Sequence, residues 1–301
     1  RWYMKENMMF YGVTLSQRYT LKQKECFLEE VIKRCKEKGY KTSFISKHGS
    51  YYQLANLVIG DVDKAKTIVC ASYDTPRKSL IPVNYYPFAA KNNVSMGKKN
   101  VIVDAFVMII MFLLSYVILL NFKDSSSSIK LIKMISIAVL VLITFVLLKG
   151  TANKVNFSRN SAAVAMVMEL LENNQNPSVA YVLLDRNTVT YEGLKALKEK
   201  LQDTSKEIIL LDALAYGKDT CIAYNKNVDI SDFKHDTYIL KEYQKPTNAL
   251  QYFKNMIQIS CGDIEDHMFV VKNTCTNKDY EIDMNRLEEI YQLLMTHINR
   301  R

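Results

Sequence analysis

The sequence is short of the residues that usually carry metal or phosphate chemistry. Only four histidines occur in 301 residues: His48, His235, His267 and His297. None forms an H-x-x-x-H pair or the H-E-x-x-H of zinc proteases. The six cysteines, Cys26, Cys35, Cys70, Cys221, Cys261 and Cys275, include no C-x-x-C pair. Their spacing suits neither a zinc ribbon nor a small disulfide framework. Cys70 sits in an apolar run and reads as packing. Free thiols of this kind favour a reducing compartment. Nine glycines and five prolines exclude collagen-like or low-complexity architecture. There is no P-loop, dinucleotide fingerprint or G-x-S-x-G elbow. The first residues, which start at Arg1 as a fragment would, show no signal peptide.

What the chain has in excess is positive charge and two long apolar runs. The net charge is +9. The lysines are scattered and mixed with glutamate, as in Lys22-Gln23-Lys24-Glu25, which argues against a nucleic-acid footprint. Attraction to an anionic lipid surface fits the balance better. Ala105 to Phe122 carries no charge, and with Val101 onward it reaches the roughly 20 residues a membrane-crossing helix needs. Met134 to Leu148 is a second run, flanked by Lys133 and Lys149, whose stems can snorkel. Lys123 to Ser128 reads as the polar turn between them. Apolarity on every face favours a membrane hairpin over a buried helical pair. Residues 100–149 are therefore expected to form a transmembrane helical hairpin. A hairpin returns the chain to the side it left. Lysines flanking that side, with the free thiols, point to a cytoplasmic location for the rest.

The remainder reads as alternating elements. Helices are expected over Leu21–Lys38, Asn160–Glu172, Tyr191–Leu201, Ala249–Ile257 and Arg286–Asn299. Strands are expected over Tyr51–Gly60, Thr67–Ala71, Val179–Leu184, Glu207–Leu211 and His267–Val271. This pattern predicts an α/β fold with a largely parallel mixed sheet flanked by helices. Residues 1–95 supply too few elements to close a core alone. Residues 1–95 and 150–301 are therefore expected to form one discontinuous domain interrupted by the hairpin. In such sheets the functional crevice lies at the carboxyl ends of strands. Polar clusters stand at three of those ends: Ser72-Tyr73-Asp74, Asp185-Arg186-Asn187-Thr188, and Asp212. Ser158-Arg159-Asn160 at a helix start is a fourth.

The order of these clusters resembles the two-zinc aminopeptidase family, whose relatives include glutamate carboxypeptidase, glutaminyl cyclase, nicastrin and the transferrin receptor. The resemblance runs from about Tyr51 to His297 and is strongest to a bacterial branch with a membrane hairpin between the first two motifs. It implies a zinc-exopeptidase-like fold, two zinc ions and metallo-exopeptidase activity. The family's His-x-Asp motif stands here as Ser72-Tyr73-Asp74. Its Asp-Asp-Asn-x-Ser-Gly, whose second Asp bridges the zincs, is Ser158-Arg159-Asn160-Ser161-Ala162-Ala163. Its Glu-Glu pair, base then ligand, is Asn187-Thr188. Its fourth-motif ligand is matched by Asp212. Its His-Thr-x-x-Asp is Cys275-Thr276-Asn277-Lys278-Asp279.

The scaffold is matched and the chemistry is not. A guanidinium cannot coordinate zinc, and an amide has no proton affinity to serve as base. The resemblance with these departures implies no catalytic residue and no cofactor. Ser72, Asp74, Arg159, Thr188, Asp212 and Cys275 would remain as the lining of a cleft. The expected protein is membrane-anchored, with a binding or regulatory role and the bilayer, or a peptide or protein, as partner. The alternative is a zinc-dependent aminopeptidase with unusual ligands, rebuilt from Asp212, Cys275 and Asp74. A thiol nucleophile, Cys275 or Cys261 with His267, is a weaker option, because nothing orients the pair. Without zinc, Asp212 would need a partner for its charge. The expectation is an Arg159–Asp212 ion pair, joined by Asp74, against the option of Arg159 turned to solvent.

Overall fold

A computed structural model describes residues 2–48, 53–202, 205–226 and 228–300. The helices are α1 (Trp2–Met9), α2 (Leu21–Glu37), α3 (Ala90–Leu119), α4 (Ser127–Lys149), α5 (Ala162–Asn173), α6 (Glu192–Leu201) and α7 (Met284–Arg300). The strands are β1 (Thr42–His48), β2 (Gln53–Ile59), β3 (Thr67–Ser72), β4 (Val83–Tyr85) and β5 (Val179–Leu184). They continue with β6 (Glu207–Leu211), β7 (Asp219–Asn225), β8 (Tyr238–Tyr243), β9 (Met256–Glu265) and β10 (Met268–Thr274).

The strands join in one mixed sheet in the order β1-β2-β5-β3-β6-β9-β10-β4, with β7 and β8 attached beside β9. The centre, β5-β3-β6-β9, is parallel, and the flanking pairs β1–β2, β2–β5, β7–β9 and β10–β4 are antiparallel. The parallel centre explains its composition. Strands covered on both faces have no solvent side, so they run apolar without alternation. Every residue of β3 and β5 is buried. Parallel alignment also brings the ends of β3, β5 and β6 to one edge, where Ser72, Asp185 and Asp212 stand. β3 lies before the two long apolar helices in the chain, and its neighbours β5 and β6 lie after them.

The helices cover both faces. α5 is buried along nearly its whole length, its Ala, Val and Met side chains packed into the main core. α2 is fixed at its start by a capping box: the Thr20 hydroxyl accepts from Gln23 N–H, and Gln23 reaches back to the Thr20 amide. α7 is pinned by His297, buried between Glu207 Oε2 at 2.8 Å and Asp232 Oδ2 at 3.0 Å.

Several expected boundaries move. The helix expected at Ala249–Ile257 is a single 3₁₀ turn, Ala249–Tyr252, after which the chain extends into β9. The Asn248 side chain caps Leu250 N–H and closes that turn. The apolar residues from Met256 then fill the gap between β6 and β7, a tertiary demand that overrides local preference. The helix expected from Asn160 begins at Ala162, because Phe157–Ser161 forms a wider π turn. The strand expected from Tyr51 includes Tyr51 and Tyr52, which lie outside the described residues. The strand expected at His267–Val271 is β10, which starts at Met268 and continues to Thr274. Strands β1, β4, β7 and β8 and helix α1 were not legible from periodicity.

α3 and α4 are long and apolar enough to cross a membrane, and neither buries a residue in the protein. Both are tied to the chain that follows β3. Arg77 Nη1 lies 2.9 Å from Asp104 Oδ2 on α3, and Arg77 Nη2 donates to the Leu147 carbonyl on α4 at 2.6 Å. Gly150 ends α4 at φ +73, and a Cβ there would meet the Arg77 side chain at 2.6 Å. Only glycine combines that backbone conformation with room for the arginine.

Candidate functional site

At the common strand edge, Arg159 and Asp212 meet. Arg159 comes from the π turn before α5, and Asp212 follows β6. Arg159 Nη1 donates to Asp212 Oδ1 at 2.7 Å, and both side chains are at most 5% exposed. Nη2 donates to the Thr188 carbonyl at 2.5 Å. The guanidinium lies 3.6 Å over the Tyr85 ring, a cation–π contact in a desolvated setting. Asp212 has no free oxygen. Its Oδ2 accepts from Tyr85 Oη at 2.6 Å and from Gln258 Nε2 at 3.1 Å. Burial first, then the adjacent Asp212 charge, holds the Tyr85 hydroxyl well above its usual range. It is therefore a fixed donor.

Asp74 does not join this pair, contrary to the sequence expectation. It accepts the backbone N–H of Asn187 at 2.9 Å and of Thr188 at 3.2 Å. The turn after β5 delivers those two amides directly onto its carboxylate, so an arginine is not needed to satisfy it. Its carbonyl accepts from Thr188 Oγ1 at 2.6 Å and from the Asn160 amide. Burial raises the pKa of Asp74, against the opposing effect of Lys24. Thr188 thus touches both centres, through its carbonyl on Arg159 and its amide and hydroxyl on Asp74.

Asn187 Nδ2 donates to Ser72 Oγ at 2.9 Å, and its Oδ1 accepts from Leu194 N–H at 3.1 Å. Through these two bonds the side chain joins β3, the turn after β5 and the start of α6. Cys275 lies at φ +62 beside the cleft. Burial pushes its thiol up to about 11, and the nearby Arg159 opposes this. It is a neutral thiol at physiological pH. Asp279 Oδ1 accepts from Ser158 N–H at 2.7 Å, so the carboxylate at the end of the last motif caps the turn that presents Arg159. Burial pushes Asp279 up to about 7.

These positions decide which groups the site can hold. Ser72 and Asn187 offer a hydroxyl and an amide already bonded to each other, and Thr188 is engaged with Asp74 and Arg159. Arg159 brings a permanent cation against Asp212 and the Thr188 carbonyl, and Asp212 already accepts three hydrogen bonds. Zinc in proteins takes several thiolate, imidazole or carboxylate ligands at close range. As a donor set, these side chains do not fit a pair of zinc ions. Among the described residues, no group of three His, Cys, Asp or Glu side chains is arranged for a metal. Asp212, Cys275 and Asp74 are not gathered on one point. His267 is exposed in the turn after β9, whereas Cys261 is buried within that strand against Thr220 Oγ1 at 3.6 Å.

Several residues that shape the site were not singled out from the sequence. Arg18 is fully buried, and its side chain donates to the Tyr73 carbonyl at 2.5 Å and to Ser161 Oγ at 3.0 Å. It stitches the end of β3 to the turn carrying Arg159. Lys24 Nζ binds Asp185 Oδ1 at 2.5 Å. Tyr85 and Gln258 complete the shell around Asp212. Tyr85 lies on a three-residue strand and Gln258 just beyond the segment expected to be helical, so neither carried a signal.

A cavity of about 420 Å³ opens above Arg159. Tyr85, Thr188, Tyr191 and Cys275 line it on one side, and the first turns of α3 line it on the other.

No protein-family model matches the chain, and no curated protein matches its sequence. Solved structures do match its fold. A glutaminyl cyclase from Porphyromonas gingivalis superposes with a TM-score of 0.57 at 10% identity, over 99% of this chain and 96% of that one. A glutaminyl cyclase from Fimbriiglobus ruber gives 0.53 at 11% identity, over 99% and 93%. The LapA aminopeptidase of Legionella pneumophila gives 0.53 at 10% identity, over 99% and 67%. The chain has the fold of the zinc aminopeptidases and glutaminyl cyclases. At this identity the likeness concerns the fold alone, since one fold hosts many functions.

Proposed function

We propose that this chain puts the zinc-aminopeptidase fold to a non-catalytic use: a membrane-anchored protein whose cleft binds a partner and serves a regulatory role. The observation that carries the reading is the engagement of both Asp212 oxygens by Arg159, Tyr85 and Gln258. Three donors occupy three of that carboxylate's roughly four lone-pair sites, and one of them is a guanidinium that already balances its charge, which leaves it a poor metal ligand. A general base is missing as well, because the Asn187 amide has no useful proton affinity and is held by Ser72 and Leu194.

The anchor in this reading is the pair α3 and α4, inserted into one discontinuous domain formed by residues 1–95 and 150–301. Support comes from α3 and α4 burying none of their apolar residues and from the sheet, whose strands come from both sides of the insertion. The lysines near the hairpin ends and the free cysteines favour a cytoplasmic side for the sheet.

The test is an assay of the purified full chain on aminoacyl chromogenic substrates with excess zinc. The reading expects no turnover above a preparation carrying Asp212→Ala. Turnover that disappears in that variant would establish the alternative, a zinc-dependent aminopeptidase with unusual ligands.

A further inference from the structure

The cavity above Arg159 has a wall that a freely soluble cleft would lack. Ala90, Val94, Gly97 and Asn100 of α3 form it, just before the helix enters its long apolar run. The cavity therefore opens where the protein meets the level of the membrane surface, on the reading that α3 and α4 span a bilayer. Its volume, about 420 Å³, is in the range of small-molecule sites.

Its charge pattern selects among ligands. No acidic residue lines it, and both charged lining residues are arginines, Arg77 and Arg159. The carboxylates beside these two arginines, Asp104 and Asp212, are each paired with one of them, and Asp74 is engaged by backbone amides. A peptide amino terminus would find no anion to receive its ammonium. A group that accepts hydrogen bonds is better served. Arg159 is 3% exposed, and two of its five N–H groups are used, on Asp212 and Thr188. The others have no protein acceptor among the described residues. The Arg159 charge is already matched by Asp212, so a neutral carbonyl satisfies these donors as well as an anion does. Around that floor the lining is mainly apolar, with Val83, Val94, Val189 and Tyr191.

We propose that the cavity binds a single-chain acyl compound drawn from the bilayer. The acyl carbonyl would lie on the Arg159 N–H groups, with the chain along α3. This names the partner class for the cleft and rests on the non-catalytic, membrane-anchored reading above.

The test uses the full chain in phospholipid nanodiscs and two photoreactive, alkyne-tagged probes, an oleic acid analogue and its monoacylglycerol. The two arms separate a free acid from a neutral lipid. Crosslinked peptides are mapped by mass spectrometry. The proposal expects labelling of segments 83–97 and 188–191 by at least one probe, and displacement by its untagged parent. Gly97→Leu should reduce that labelling about ten-fold, equivalent to about 1.4 kcal/mol. A Cβ built at Gly97 meets no atom within 4 Å, and leucine favours helix over glycine, so this variant should fold. Val189→Trp, at an exposed cavity position, provides a second occluding change. Labelling confined to the lipid-facing surface of α3 and α4, and unchanged in both variants, would overturn the inference. Zinc is measured in the same preparation. Absent zinc with no cavity labelling sinks the acyl proposal alone, whereas stoichiometric zinc sinks the reading beneath it.

Discussion

Arg159 and Asp212 stand 2.7 Å apart at the end of the central strands, the guanidinium stacked on Tyr85 and the carboxylate closed off by Tyr85 and Gln258. Removing one partner of such a buried pair leaves the other uncompensated, which typically costs about 3–5 kcal/mol. Arg159→Ala should therefore lower the thermal midpoint clearly. Arg159→Ala with Asp212→Ala should recover much of the loss. Strictly additive effects in the double-mutant cycle, measured by denaturant unfolding, would contradict the coupling.

Asp279 gives the fold a pH dependence of defined sign. Its folded pKa is raised to about 7 from an ordinary 3.8, chiefly by burial. Between those values the native state binds a proton that the unfolded chain has lost. Stability from this group is therefore full below about pH 4 and falls as pH rises through 7. Asp279→Asn keeps an oxygen for Ser158 N–H and cannot ionise. Its midpoint relative to the wild type should rise as pH rises from 5 to 8, read by thermal scans in buffers matched for ionic strength. A difference that is flat with pH, or that shrinks toward pH 8, would exclude this role.

How far the sequence reaches is visible at these two residues. Arg159 and Asp212 were legible as partners because strand ends and motif order placed them on one edge, and a buried carboxylate must find a cation or a proton. The parallel centre was legible because strands covered on both faces run apolar without breaks, as β3, β5 and β6 do. Asp74 was misplaced, since its partners are backbone amides of the Asn187–Thr188 turn, and amides leave no mark in a sequence. Tyr85 and Gln258 were hidden by β4 and β9, elements whose existence depends on pairing with distant strands rather than on local pattern. Arg18 was hidden for the same reason: its acceptors are carbonyls and a serine hydroxyl brought together only by the fold.

Arg77 should act locally. Its pair with Asp104 is about one-third exposed, so its net worth to global stability is under about 1 kcal/mol. Arg77→Ala removes that pair together with the hydrogen bond to Leu147. It should raise amide hydrogen exchange at 77–80 and 149–153 and leave the midpoint nearly unchanged. Unaltered exchange in both segments would show that the arginine does not hold the hairpin ends to the sheet domain.

The hairpin topology can be read with an impermeant maleimide in sealed vesicles. Cys26 is exposed on the sheet domain, and Cys35, Cys70, Cys221 and Cys261 are buried. Cys275 is half-buried at the cavity and is changed to Ser throughout. Native Cys26 on a Cys275→Ser background, and Ser126→Cys on a Cys26→Ser and Cys275→Ser background, should label from opposite faces of the membrane. Labelling of both from one face would rule out two crossings.

The central claim is that Arg159 has replaced metal with an internal cation at the centre of the cleft, and zinc stoichiometry tests it most directly. The purified chain is given excess zinc, dialysed and measured by elemental analysis, beside Asp212→Ala. The account predicts well under one zinc per chain in both proteins. One or two zinc ions retained by the wild type and lost in Asp212→Ala would contradict it.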